Sequence, residues 1–183
     1  MSVLRRWWHR ITGRAELPEG FTGRLDAAEH VLAVGALVRE GHLVVTQLGL
    51  WVPEGSVARR IGWEWVSKAV WDRNALLLTE AVSEAAAGEA VLLADLPPRR
   101  FVLTEPGTVP DVVRARVTGS IRSSQYRELP GGGAWFVQRR LPGRDGVVLQ
   151  VRADPGTDRW AVQSVAAQVA DRMRQARSRP ERS

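Results

Sequence analysis

The sequence predicts an α+β fold that is mainly β: about seven strands in a small barrel or sandwich with a helix that closes over the sheet, plus a C-terminal β-hairpin and helix. Three observations predict it. Short β-branched segments separated by turn residues recur through residues 25–103, a capped apolar helix pattern follows, and a hairpin-helix pattern comes last. With 183 residues, 44% of them hydrophobic, the chain is long enough to bury a core.

The first strands are predicted from short apolar segments between turn residues. EHVLAVGALV, HLVVTQL and GLWVPEG predict three consecutive strands. The next stretch has apolar residues at period two, namely Ile61, Trp63, Trp65, Ala69 and Trp71. This alternation predicts two or three antiparallel strands with a tight turn at 72–74. EAAAGEAVLLADLPP fits either a short helix or a strand, and RRFVLTE predicts a further strand.

Two helices and a hairpin complete the prediction. In TVPDVVRARVTGSI, Thr108 and Asp111 have the spacing of a capping box, and Pro110 lies early enough to need no N–H partner. AWFVQRRL and VVLQVRA flank an Asp-Gly turn and predict a hairpin. The segment from Trp160 to Met173 carries apolar residues, Trp160 included, at helical spacing, with arginines near its end.

These patterns divide the chain into four parts. An amphipathic basic segment spans 1–17, the barrel with its capping helix spans 18–124, the hairpin-helix extension spans 125–177, and a disordered basic tail spans 178–183.

The first segment is the main candidate site. As a helix it places apolar and indole side chains on one face and arginines elsewhere, which is typical of an interfacial membrane anchor. The candidate membrane- or partner-binding residues are Leu4, Arg5, Arg6, Trp7, Trp8, Arg10 and Ile11. The same face also fits a partner protein, or the chain's own domain, because so short a helix is marginal alone in water.

A second candidate surface combines tryptophans of the barrel with arginines of the capping helix: Trp63, Trp65, Arg114 and Arg116. If the two indoles are exposed they form a binding patch, whereas core packing is the alternative. The arginines, together with Arg122, Arg139 and Arg140, are also a candidate nucleic-acid surface in a chain with formal charge +6. Nucleic acid is not favoured, because no recognition motif accompanies them.

One stretch has a family resemblance. LVVTQLGLWVP followed by RRIGWEWVSKAVWDRNALLL resembles the bacterial PH-like domains, over residues 25–123. The later GGG…RR-x-PGRDG hairpin and the arginine-rich helix after it resemble the ending of some actinobacterial proteins. The PH-like resemblance implies a seven-stranded barrel with one capping helix and a binding role. Relatives often bind phosphoinositides through basic residues between the first two strands. That loop here, VREGHL, offers only Arg39 and His42, so protein binding is at least as well favoured.

Catalysis is disfavoured by what the sequence lacks. Because no cysteine is present, disulfides, thiolate catalysis and thiolate zinc sites are excluded. His9, His30 and His42 have no carboxylate or serine at a catalytic spacing, and no Lys-Ser/Thr follows the PGGG run. We therefore predict a noncatalytic binding or adaptor module without metal or cofactor. Its expected partner is an anionic membrane surface or a protein, and its expected location is cytoplasmic, peripheral at the inner face of the plasma membrane.

Overall fold

A computed structural model describes residues 15–141 and 146–178. Within this part of the chain there are eleven strands and two α-helices, so the predicted mainly β, α+β class is confirmed. Contacts divide the chain into two compact units. In the described ranges the first unit comprises 15–80 and 97–119, and the second comprises 81–96 and 120–178.

Four strands of the first unit form an antiparallel meander in the order β1-β2-β3-β4. They are β1 Val31–Ala36, β2 His42–Thr46, β3 Gly49–Glu54 and β4 Val57–Gly62. β2 and β3 are buried on both faces, which explains why their sequences read as continuous apolar runs. The three consecutive strands predicted for this stretch are confirmed.

Three further strand segments of the first unit pair in the order β5-β6-β8, also antiparallel. They are β5 Val66–Asp72, the first half of β6 Ala75–Ala87, and β8 Arg99–Val102. The predicted turn at 72–74 is confirmed, with Arg73 in the left-handed region at φ 53°. The predicted alternation through Trp63 and Trp65 is wrong, because Trp63–Trp65 is a 3-10 turn that redirects the chain between β4 and β5.

The predicted capping helix is confirmed as α1, Val109–Gly119. Its Val109 and Val113 are fully buried against the core of the first unit, with Val112 and Val117 at the margin. Pro110 sits in the first turn, where a missing N–H is tolerated. Ile121, which continues the apolar row in the sequence, lies beyond the helix on a strand.

Residues 15–30 cover the outer face of the β1–β4 sheet. Phe21 packs edge-on against Trp51, with ring centroids 5.5 Å apart, and Ala15 and Leu25 join the same cluster. Trp51 is only 7% exposed as a result, so its predicted core position is confirmed.

Glu29 fastens this covering segment to the sheet. Its buried carboxylate accepts hydrogen bonds from Thr46 Oγ1 at 2.6 Å, Trp51 Nε1 at 2.9 Å and Arg60 at 2.5 Å. Burial raises the pKa of Glu29, but the hydrogen bonds from Thr46, Trp51 and the Asp26 N–H, together with the charge of Arg60, outweigh it and hold the pKa below its usual range. We call Glu29, Thr46, Trp51 and Arg60 the Glu29 network.

The sheet of the second unit contains the second half of β6, followed across the sheet by β7, β11, β10 and β9. Besides β6, the strands of this sheet are β7 Ala90–Asp95, β9 Ile121–Leu129, β10 Gly132–Arg140 and β11 Val147–Ala153. β7 and β11 pair in parallel and the other neighbours are antiparallel. The β10–β11 hairpin is confirmed, whereas its predicted Asp-Gly turn lies at 142–146, of which 142–145 fall outside the described residues.

In this unit the structure selects one of two open alternatives and differs from the sequence analysis in two respects. The segment that fitted either a helix or a strand is a hairpin, β6 to β7, turning at Gly88 with φ 60°. The contacts group this hairpin with the second unit because β7 pairs with β11, whereas the sequence-based division placed it in the barrel part, 18–124. β9 is an additional strand that the sequence analysis did not assign.

Helix α2, Arg159–Ser178, packs on one face of the second sheet through Val162, Ala166 and Ala170. Asp158 caps it by accepting a hydrogen bond from the Ala161 N–H at 2.7 Å. The placement of Trp160 on the apolar face is wrong, since it is 77% exposed. It precedes Val162 by two residues and therefore points to the opposite side of the helix. Neither described helix has the length and apolarity needed to cross a bilayer.

Candidate binding surface

An exposed aromatic pair lies on the face of the second sheet that is opposite α2. Tyr126 on β9 and Trp135 on β10 are directly opposed in the strand register. Their ring centroids are 5.3 Å apart with the planes inclined at 57°, and each residue is 43% exposed. Strand alternation places them away from the helix, because their neighbours Ala134 and Phe136 point towards it. We call Tyr126 and Trp135 the aromatic pair.

The backbone beneath Tyr126 is shaped to hold its ring. A Cβ atom at Gly133 would meet the Tyr126 hydroxyl oxygen, and it would also lie 2.8 Å from the Arg127 carbonyl oxygen. Glycine therefore allows the phenol ring to lie across β10. At the far end of the ring, the Tyr126 hydroxyl donates a 2.7 Å hydrogen bond to Asp154 Oδ2. Gly133 thus leaves room for the hydroxyl end of the ring, and the hydrogen bond to Asp154 fixes the same end.

Charges of both signs border the aromatic pair. Arg152 is opposite Trp135 on β11, and its Nε lies 2.9 Å from Asp95 Oδ1 in an ion pair without hydrogen-bond geometry. Asp154 holds the Tyr126 hydroxyl, and Glu128 lies on the same face two residues along β9. The surroundings are therefore mixed in charge rather than cationic.

Tyr126 is the titratable member of the aromatic pair. The hydrogen bond that the Tyr126 hydroxyl donates to Asp154 raises the pKa of the phenol. Among residues 15–141 and 146–178, no three His, Asp or Glu side chains come together in a way that could hold a metal ion.

The structure separates the residues of the predicted sites. Leu4, Arg5, Arg6, Trp7, Trp8, Arg10 and Ile11 lie outside the described residues. Trp63 is 1% exposed and its indole N–H donates to the Thr46 carbonyl at 3.1 Å, so it cannot contribute to a surface patch. Trp65 is half-buried against the same core. The 3-10 turn causes this result, because it directs both indoles to the interior.

The predicted arginines differ in exposure. Arg114 and Arg116 are exposed on α1, as expected of a solvated helix face. Arg139 is only 5% exposed and donates to Ser120 Oγ at 3.0 Å. It is therefore not available to a nucleic-acid backbone, which weakens the basic surface considered from the sequence.

Sequence reasoning missed the aromatic pair. Tyr126 lies in IRSSQYREL, where the serines and the glutamine interrupt any apolar strand pattern. The sequence around Trp135 predicts a hairpin but gives no sign of an exposed aromatic pair. One signal was present in the sequence. A run of three glycines at the start of a strand indicates that something approaches its backbone closely, and here it is the Tyr126 ring.

Comparison with known proteins identifies no relative. No protein-family model matches the chain, and neither a curated protein nor a solved structure matches it.

Proposed function

We propose that this protein is a noncatalytic binding module in which the aromatic pair contacts a segment of a partner protein. The observation that carries this proposal is an exposed Tyr126–Trp135 pair whose phenol ring is held by Gly133 and Asp154. Positioned aromatic rings offer a large contact area with little rotamer entropy left to lose. The mixed charges around them favour a protein partner, since an anionic membrane surface attracts an excess of cations.

The fold proposal that accompanies this function is a PH-like barrel for the first unit. A four-stranded meander, a three-stranded antiparallel group and a helix after the last strand have the element order of that superfold. PH-like barrels serve as binding modules, which agrees with the proposed role, although a fold alone does not specify a ligand.

Selection of peptides from a phage-displayed random library, with the full chain as bait, tests the contact surface. We expect the wild type to enrich peptides whose affinity falls about tenfold or more on Trp135→Ala, the size of a moderate interface residue. Trp160→Ala is the matched control, because it removes another exposed indole of the same unit. Failure to enrich peptides, or equal binding to the Trp135→Ala variant, would refute the proposal.

A second candidate function is peripheral association with an anionic membrane through residues 1–17. The observation that favours it is the sequence of that segment, which combines Trp7 and Trp8 with Arg5, Arg6 and Arg10 in a chain of formal charge +6. The two functions are compatible, because they use different parts of the chain.

Co-sedimentation with phosphatidylglycerol-containing vesicles at moderate salt tests the membrane role. Replacing Trp7 and Trp8 together by serine should release most of the bound protein, since the indoles supply the interfacial contact. Trp160→Ser serves as the control for loss of an exposed indole. Equal sedimentation of all three proteins would exclude the segment as a membrane anchor.

A further inference from the structure

β9 is an edge strand of the second unit with one side open. It pairs with β10, and none of the other described strands pairs with its second side. The strand is nine residues long, Ile121–Leu129, contains no proline and is exposed over most of its length. An edge of this length presents a row of backbone N–H and C=O groups that another strand can use.

The side chains of β9 are complementary to a second, antiparallel copy of the same strand. Counted from a two-fold axis on Gln125, Arg122 is opposite Glu128 of the other copy and Ile121 is opposite Leu129, at the end of β9 where a bulge leaves Arg122 without an opposed residue on β10. Each of these contacts occurs twice by symmetry. Ile121 is 38% exposed in the single chain, so this pairing would cover an apolar side chain that is otherwise in water. Opposite charges and apolar side chains in directly facing positions both stabilise a strand pair.

Neighbouring registers lack this complementarity. Directly opposed residues of an antiparallel pair lie on the same face of the sheet, so the two-fold axis must pass through a residue and not between two residues. The neighbouring registers therefore have the axis on Ser124 or on Tyr126. An axis on Ser124 places Arg122 against Tyr126 and Ile121 against Arg127. An axis on Tyr126 places Arg122 beside Pro130, which has no N–H to donate. Of these three axes, the one on Gln125 alone spans the whole of β9 and places Arg122 against Glu128, while Arg127 is opposite Ser123.

We propose that two copies of this chain form a symmetric dimer by antiparallel pairing of β9 with β9 about Gln125. This pairing uses the edge of the strand rather than the aromatic face, so it holds whether or not the aromatic pair binds a partner. It also has a consequence for that face. Tyr126 opposes Ser124 of the other copy, which brings the two tyrosines to diagonal positions about 7–8 Å apart on one continuous sheet.

Light scattering of the full chain during size exclusion tests the dimer and its register. The wild type should give twice the 20.2 kDa chain mass at high concentration. Glu128→Arg puts arginines at both facing positions and should raise the dissociation constant about tenfold or more. Combining it with Arg122→Glu restores opposite charges and should restore the dimer. A monomeric wild type, or a double variant as weak as Glu128→Arg, would overturn the proposal.

Cysteine cross-linking gives an independent readout in a chain that has no cysteine of its own. Gln125→Cys places the two thiols opposite each other on the axis, and mild oxidation should give a disulfide-linked dimer. Ser123→Cys is the matched control on the same face of β9, where the symmetry-related thiols are too far apart to join. Cross-linking of both variants to the same extent, or of neither, would contradict the register. Trp135→Ala should leave the dimer unchanged, which separates this inference from the proposed contact surface.

Discussion

Two tryptophans, one in each unit, lie on strands whose neighbours are antiparallel, but they differ in what covers them. Trp51 lies beside Phe21 and is 7% exposed, whereas Trp135 lies beside Tyr126 and is 43% exposed. Trp51 donates its indole N–H to a buried carboxylate, Glu29, within a segment that covers the sheet. Tryptophan therefore belongs to a buried hydrogen-bonded network in the first unit and to an exposed surface in the second.

We call the face of the β1–β4 sheet beneath residues 15–30 the covered side, and the exposed face and edge of β9 and β10 the open side. The largest expected effect is on the covered side, where Glu29→Ala should reduce the free energy of unfolding by about 3 kcal/mol. The substitution leaves Arg60, Thr46 and the Trp51 indole without their shared buried acceptor. Asp26→Ala is the control, because Asp26 pairs with the same arginine but is largely exposed, and should cost less than about 1 kcal/mol. Equal losses in urea denaturation would show that the Glu29 network does not fasten the segment.

Phenylalanine substitutions compare the two tryptophans directly. Trp51→Phe keeps a buried ring but removes the hydrogen bond to a charged acceptor, so we expect a loss of about 2 kcal/mol. Trp135→Phe removes no comparable bond and should change stability by no more than about 0.5 kcal/mol. Chemical denaturation of both variants measures the difference. A larger loss for Trp135→Phe would mean that the aromatic pair is structural and would weaken its role as a contact surface.

The covered side was the more predictable from sequence. The strands around Trp51 are apolar runs between turn residues, so β1 to β3 and the core position of Trp51 follow from the pattern alone. The Glu29 carboxylate was not predicted, because a single acidic residue before a strand gives no sign that it will be buried. Its partners Thr46 and Arg60 are 17 and 31 residues away in sequence.

The open side was less predictable for a physical reason. An exposed edge strand needs no apolar alternation, so Ser123, Ser124 and Gln125 give β9 little strand signal. Parallel pairing of β7 with β11 joins segments about 60 residues apart, and no local pattern indicates it. The predicted strand alternation through Trp63 is wrong because the chain turns at Trp63–Trp65, between β4 and β5. Apart from Gly62, no glycine or proline marks this turn in the sequence.

The acid stability of the covered side follows from the lowered pKa of Glu29. A carboxyl whose pKa is lower in the folded than in the unfolded chain stabilises the fold above the unfolded value, which is about 4.3. That stabilisation is lost as the pH falls through the folded value. Glu29→Gln should therefore flatten the acid limb of a plot of unfolding free energy against pH, besides lowering stability at neutral pH. Parallel acid limbs would contradict the assignment.

The smallest expected effect concerns the open side, where the pKa of Tyr126 is raised by its hydrogen bond to Asp154. Because Tyr126 is the only tyrosine, phenolate absorbance in an alkaline titration reports this residue alone. Asp154→Asn should bring the pKa back towards the ordinary value of about 10, whereas Glu128→Gln should change it less, since Glu128 acts only through its charge. A raised folded pKa stabilises the protonated, hydrogen-bonded ring below the unfolded value, and this contribution disappears as the pH rises. At neutral pH the Tyr126 ring is therefore held by an exposed hydrogen bond to Asp154, whereas Trp51 is held by a buried hydrogen bond to Glu29. If Asp154→Asn leaves the titration of Tyr126 unchanged, the phenol is not positioned from its tip, and the contact surface loses one of its two supports.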